Sequence, residues 1–234
     1  FMSLWIICSY SSFSLFEKLS KKKILRPLKI IVFGILTAYL FSIRISGILI
    51  LLQYFISFLI FLNKIKIKFN DFFIKNYQKL ILFILVVTFF TYLLNPVYWN
   101  NPFEIINAIK SMSYFYNDVC TKTLGFCMKA KDLPSTYLLI WLSVKLPLII
   151  LIGLLLVPFT EKNIFINSEK NIFFGTILIV SLLIPILFII LKTNLYDEIR
   201  HILFLIPFYF MIGIISLFIF SKKIFYFLGV LTIS

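Results

Sequence analysis

Residues 30–63 read IIVFGILTAYLFSIRISGILILLQYFISFLIFLN, and the fold turns on how this run is divided. As one helix it would be about 50 Å long, against a hydrocarbon core of about 30 Å. Arg44, Ser46 and Gly47 interrupt its middle, where a turn is tolerated. Two short helices, 30–43 and 47–63, are therefore expected, with Arg44 near the tip between them.

The rest of the chain supports that reading. Its 234 residues are 62% hydrophobic, 19% aromatic and 14% charged, with a mean hydropathy of +1.05. A soluble domain has roughly 45–50% apolar and about 25% charged residues, so polar surface is too scarce here for a soluble globule or a disordered chain. The expected fold is an all-α, polytopic transmembrane helix bundle forming a single domain. Membrane segments are expected at about 1–16, 30–43, 47–63, 80–95, 135–158, 172–191, 201–220 and 224–234. An outer loop, 96–134, should carry short interfacial helices. Residue 1 is Phe, and the first and last apolar segments are short. The chain is thus expected to be a piece of a longer protein.

The formal net charge is +14, from 23 Lys and Arg against 9 Asp and Glu. In so apolar a chain this points to membrane orientation and anionic lipid rather than nucleic acid. With the turn at Arg44, most basic residues fall in segments 17–29, 64–79, 159–171 and 221–223, all on one side. The positive-inside rule makes that side cytoplasmic. A single helix over 30–63 would put the basic segments 17–29 and 64–79 on opposite sides.

The other side collects the reactive groups. Trp99, Tyr98, Tyr114 and Tyr116 suit an interfacial aromatic belt, and Trp99 beside Asn100 and Asn101 also suits stacking on a sugar ring. Asn101 before Pro102 suits a turn, and Phe103, Ile105, Ile106 and Ile109 suit a helix lying on the membrane surface. Cys120 and Cys127 either pair or stand as two free thiols, while Cys8 lies in an apolar segment. With a single His, no metal site is readable, and no cofactor is expected.

Three places put charge against apolar sequence. Arg44 at a break between half-helices is either an anion site or a side chain that snorkels to the headgroups. Lys145 falls near the middle of segment 135–158, where a lysine is either functional or snorkelling, and Pro147 beside it should bend the helix. Asn194-Leu195-Tyr196-Asp197-Glu198-Ile199-Arg200-His201 opens the segment that follows. On a helix, Asp197 would neighbour both Arg200 and His201. Asp197 with His201 could move protons, and Arg200 with His201 could hold a phosphate. The plainer alternative is a helix start, with acids at the positive end of the dipole.

The segment Tyr196 to Pro207 resembles the tyrosine–aspartate–x–x–arginine–histidine stretch of bacterial GT-C membrane glycosyltransferases, relatives of protein O-mannosyltransferases and aminoarabinose transferases. Asp132-Leu133-Pro134-Ser135-Thr136-Tyr137, followed by Trp141, Lys145 and Pro147, is similar to that family's loop-to-helix segment. Gly34, Arg44 and Gly47 resemble its glycine–arginine–glycine helix pair, and Trp99 with Pro102 the start of its outer loop. The resemblance spans roughly residues 30–210.

It implies sugar transfer from a polyprenyl-phosphate donor to a lipid, glycan or protein acceptor, on the periplasmic face of a bacterial inner membrane. It assigns Arg44, Trp99, Lys145, Tyr196, Arg200 and His201 to substrate binding. The family's catalytic acid lies in an earlier outer loop with no counterpart here, so this piece alone is expected to be inactive. Asp197 and His201 are the catalytic candidates within it, and Asp118 and Asp132 stand behind them. Two alternatives remain: an O-antigen polymerase or ligase, and a transporter or flippase of a lipid-linked or anionic substrate.

Overall fold

The computed structural model describes residues 1–20, 27–66, 68–101, 103–104, 106–107, 120–123, 125–129, 132–160, 169–191 and 199–233. The chain divides into two compact units, Phe1–Phe115 and Tyr116–Ser234. Among the described residues, four helical stretches are long and apolar enough to cross a membrane: Ser46–Asn63, Phe69–Leu94, Phe173–Ile190 and Arg200–Lys222. The fold is thus the expected all-α membrane bundle, and by the length and apolarity of its helices the chain is an integral membrane protein.

The first unit contains α1 (Met2–Ser20), α2 (Pro27–Ile43), α3 (Ile50–Ile65), α4 (Phe69–Leu94) and the single-turn α5 (Val97–Asn100). The decisive stretch divides as expected. α2 stops at Ile43, Arg44 is extended at φ −152° and ψ 136°, and a 3-10 turn over Ile45–Leu49 leads into α3. Gly47 is needed there, because a Cβ on it would lie 2.6 Å from the carbonyl oxygen of Leu40, and the chain could not fold back onto the end of α2.

Side-chain pairs fix how these helices run. Trp5 meets Gln53 and Phe13 meets Phe61, so α1 and α3 run parallel. Phe33 stacks on Phe83, and Asn95 reaches Ser42, so α2 and α4 are parallel as well. Phe33 and Thr37 meet Tyr54, and Phe58 meets Phe72, which sets α3 antiparallel to α2 and α4. One end of the unit consequently gathers Lys18, Lys29, Lys66, Lys68, Lys75 and Lys79. The opposite end carries Phe1, Arg44, Asn95 and Trp99. This agrees with the charge separation read from the sequence.

α4 differs from expectation. Residues 69–79 were assigned to a basic loop, yet they are the first turns of a 26-residue helix. Lys75 and Lys79 ride on it while Phe69, Phe72 and Phe73 pack against Phe58. Aromatic residues at helical spacing outweigh the local charge.

The second unit contains a hairpin of β1 (Cys120–Thr123) and β2 (Phe126–Lys129), then α6 (Tyr137–Lys145), α7 (Leu148–Leu155), α8 (Glu169–Ile190) and α9 (Ile206–Ile233). Cys120 and Cys127 are joined across the hairpin, which settles the pairing the sequence left open. Segment 135–158 is not one helix. α6 and the stretch Leu148–Phe159 are bent by 120° at Leu146-Pro147. Proline forces its predecessor out of helical geometry, and Leu146 is extended at ψ 137°. Segments 201–220 and 224–234 are likewise not separated by a turn at 221–223: α9 runs unbroken through Lys222. Lys222 lies over the Phe218 ring at 4.7 Å, one turn back on the same helix.

Candidate functional site

Arg44 stands at the end of the first unit away from the lysines. Its guanidinium lies 5.9 Å from the centre of the Phe1 ring, which brings the start of α1 beside the α2–α3 break. The same end is fixed by Asn95, whose amide donates to Ser42 Oγ at 2.9 Å and to the Thr91 carbonyl at 2.7 Å. Asn95 thus ties the exit of α4 to the exit of α2. Trp99 follows on α5, 54% exposed, with its indole N–H donating to the Tyr92 carbonyl at 2.9 Å. That bond orients the ring, and about half of the residue stays exposed. Arg44 and Trp99 therefore share one end of the first unit. The Asn101 turn is formed as well, its side-chain oxygen accepting the Phe103 N–H at 3.1 Å.

In the second unit Lys145 is the last residue of α6, immediately before the break. Its side chain is exposed on the unit, with Nζ over the Trp141 ring at 5.3 Å. That cation–π contact holds the ammonium beside the backbone that Pro147 interrupts. α7, which starts just after the break, packs against α9. Gly153 and Gly213 meet backbone to backbone where these helices cross, the small-residue contact that lets membrane helices approach closely.

Arg200 and His201 begin a 3-10 turn, Arg200–Leu205, that continues directly into α9. Arg200 is exposed and His201 half-buried, while Ile202, Phe204 and Leu205 turn into the core. The helical start lies at Arg200, and Ile202 N–H bonds the Ile199 carbonyl at 3.0 Å. Tyr196 and Asp197 lie outside the described residues, as do Glu198, Asp118, Pro102, Tyr114 and Tyr116. Asp132 is exposed at the entrance to α6. No group of three or more metal-ligating side chains occurs among the described residues.

The sequence reading passed over one polar feature. Gln53 is fully buried within the apolar run of α3 and accepts a 2.7 Å hydrogen bond from the Trp5 indole N–H. Next to it, the Tyr54 hydroxyl meets Thr37 Oγ1 at 3.1 Å, bridging α3 to α2. A glutamine inside an 18-residue apolar window was a visible signal, since intramembrane polar residues tend to join helices. Here the group ties α1, α2 and α3 together beneath Arg44.

Comparison with protein families, with curated proteins and with solved structures finds no match to this chain.

Proposed function

We propose that the chain is the membrane part of a glycosyltransferase that moves a sugar from a polyprenyl-phosphate donor to an acceptor on the face opposite its lysine-rich end. One observation carries the reading. Arg44 and Lys145, the two basic residues set within apolar runs, both stand at helix breaks. Irregular backbone at membrane depth is tolerated where protein buries it or where it lines a water-filled cavity. Discontinuous helices of that kind build sites for anions and ions.

Sugar transfer from a lipid phosphate needs cations where charge develops on the leaving phosphate, and a base for the acceptor hydroxyl. In the first unit Arg44 is the candidate for the first need, with a guanidinium suited to bidentate phosphate contact, and Trp99 offers an aromatic face for a sugar ring. In the second unit, taken by itself, Lys145 and Arg200 are candidate cations and Tyr196 a candidate aromatic face. His201 and Asp197 are the candidates within this chain for proton transfer.

The test uses the product of the native gene in its own membranes, supplied with a labelled polyprenyl-phosphate hexose. Arg200→Ala and Arg44→Ala should each lower transfer by roughly 100-fold, the loss typical of a group that stabilises developing charge, without altering membrane insertion. Unchanged transfer would remove these residues from the site.

The 120° break also favours a second reading, since transporters place substrate sites at interrupted helices. A flippase would move the labelled lipid-linked sugar across sealed vesicles without consuming it, and the same assay distinguishes the two.

A further inference from the structure

The first unit contains a half-open cavity of about 240 Å³ lined by α1, α2, α3 and α4. Its wall is almost wholly apolar, with Phe33, Tyr54, Phe58 and Phe83 among the lining residues, and its polar members include Asn76 and Lys79. These two sit one turn apart on α4, and Lys79 Nζ donates to Asn76 Oδ1 at 3.3 Å. An apolar cavity of roughly 150 Å³ takes a benzene-sized guest and stays dry. This one has room for a length of hydrocarbon chain and little to offer water. Left empty, its lining would forgo dispersion contacts on one side.

We infer that this cavity binds one acyl chain of an anionic phospholipid, with the lipid phosphate at Lys79. Charge selects that occupant. The cavity lies toward the end of the unit that also carries Lys18, Lys66, Lys68 and Lys75, where a basic surface meets the anionic leaflet. A zwitterionic lipid would fill the same volume and bring a phosphate, but its headgroup cation would sit among these lysines, whereas an anionic lipid brings net negative charge to them. The site is independent of the proposed sugar transfer, because Arg44 and Trp99 lie at the other end of the unit.

The experiment places the whole chain in phosphatidylcholine vesicles with a phosphatidylglycerol carrying a photoreactive acyl chain, and maps the labelled peptides. Labelling should concentrate on the segments holding Phe33, Phe58 and Phe83. Unlabelled phosphatidylglycerol should compete against the phosphatidylcholine background, whereas millimolar inorganic phosphate should not. Lys79→Gln should reduce phosphatidylglycerol labelling about five-fold, the effect of one lysine at an anionic surface. Leu80→Trp, which adds bulk on the cavity wall, should also reduce the phosphatidylglycerol labelling.

Uniform labelling over exposed positions of α4 such as Ile84, Leu85 and Phe89 would overturn the proposal. So would competition by phosphate alone, or a cross-linked dimer with the cavity unlabelled, which would assign it to a second copy. Circular dichroism checks that each variant keeps its helices. If neither variant folds, the wild-type labelling map and the lipid competition decide the question.

Discussion

Replacing Gly153 by alanine tests how the broken helix is held in the second unit. A Cβ at residue 153 would lie 2.7 Å from the carbonyl carbon of Gly213 and 2.8 Å from its Cα, and would also overlap the Gly213 oxygen. Carbon–carbon contacts settle at about 3.5–4.0 Å, so α7 must back away by close to 1 Å, and each contact across the α7–α9 seam loses about a quarter to a half of its attraction. Backbone cannot rotate out of the way as a side chain can. Overpacking of this kind costs about 1–3 kcal/mol. Alanine returns about 1 kcal/mol through helix propensity, so a net loss of up to about 2 kcal/mol is expected.

Gly213→Ala is the built-in control. Its Cβ would meet Ile150 at 3.0 Å (carbonyl oxygen) and 3.1 Å (Cγ2), an approach that needs only a few tenths of an ångström of relief. The propensity gain of about 1 kcal/mol offsets most of that strain. The two substitutions are chemically identical and lie on opposite sides of one contact, so only local geometry separates them. Unfolding in mixed micelles, titrated with sodium dodecyl sulfate and followed by circular dichroism, measures both. Gly153→Ala should unfold at clearly lower denaturant than Gly213→Ala. Equal midpoints, or the reverse order, would refute the backbone-to-backbone packing of α7 on α9.

Pro147→Ala removes the residue that forces Leu146 out of helical geometry, and α6 and α7 should straighten. With the 120° bend, the ends of the two helices, residues 137 and 155, lie about 14 Å apart; a continuous helix would set them about 27 Å apart. Spin labels at those positions read the difference, and an unchanged short distance would mean that packing of α7 on α9 imposes the bend without the proline. For the hairpin, maleimide titration of the denatured chain should find one thiol before reduction and three after, from Cys8 and the Cys120–Cys127 pair. Three thiols before reduction would remove the disulfide.

What the sequence revealed and what it concealed follow one physical division. Arg44-Ile45-Ser46-Gly47 was legible because a continuous helix would overrun the bilayer, and because the turn also sorted the lysines correctly. Both constraints act over the whole membrane thickness, so composition and spacing report them. The beginning of α4 and the continuity of α9 were not legible. Lys75, Lys79 and Lys222 read as loop residues, since charge is the only local punctuation in so apolar a chain. Yet a helix can carry such residues at its membrane edge while their neighbours pack, as Phe69, Phe72 and Phe73 do on Phe58. Pro147 marked a bend but not its size, which depends on what α7 finds to pack against; the answer lies in Gly213, sixty residues further along.

The same division bears on the candidate site. Arg44 and Lys145 stand out in the sequence as cations amid hydrocarbon, and both prove to lie where hydrogen-bonded helix stops. That coincidence gives each cation an environment that an unbroken helix would not. A helix end supplies the unsatisfied backbone groups and irregular packing that admit water or an anion, whereas an unbroken apolar helix leaves a cation only the option of snorkelling. The Gln53–Trp5 bond then acquires a role beyond helix association. By holding α1 to α3, it helps to set the Phe1 ring against the Arg44 guanidinium.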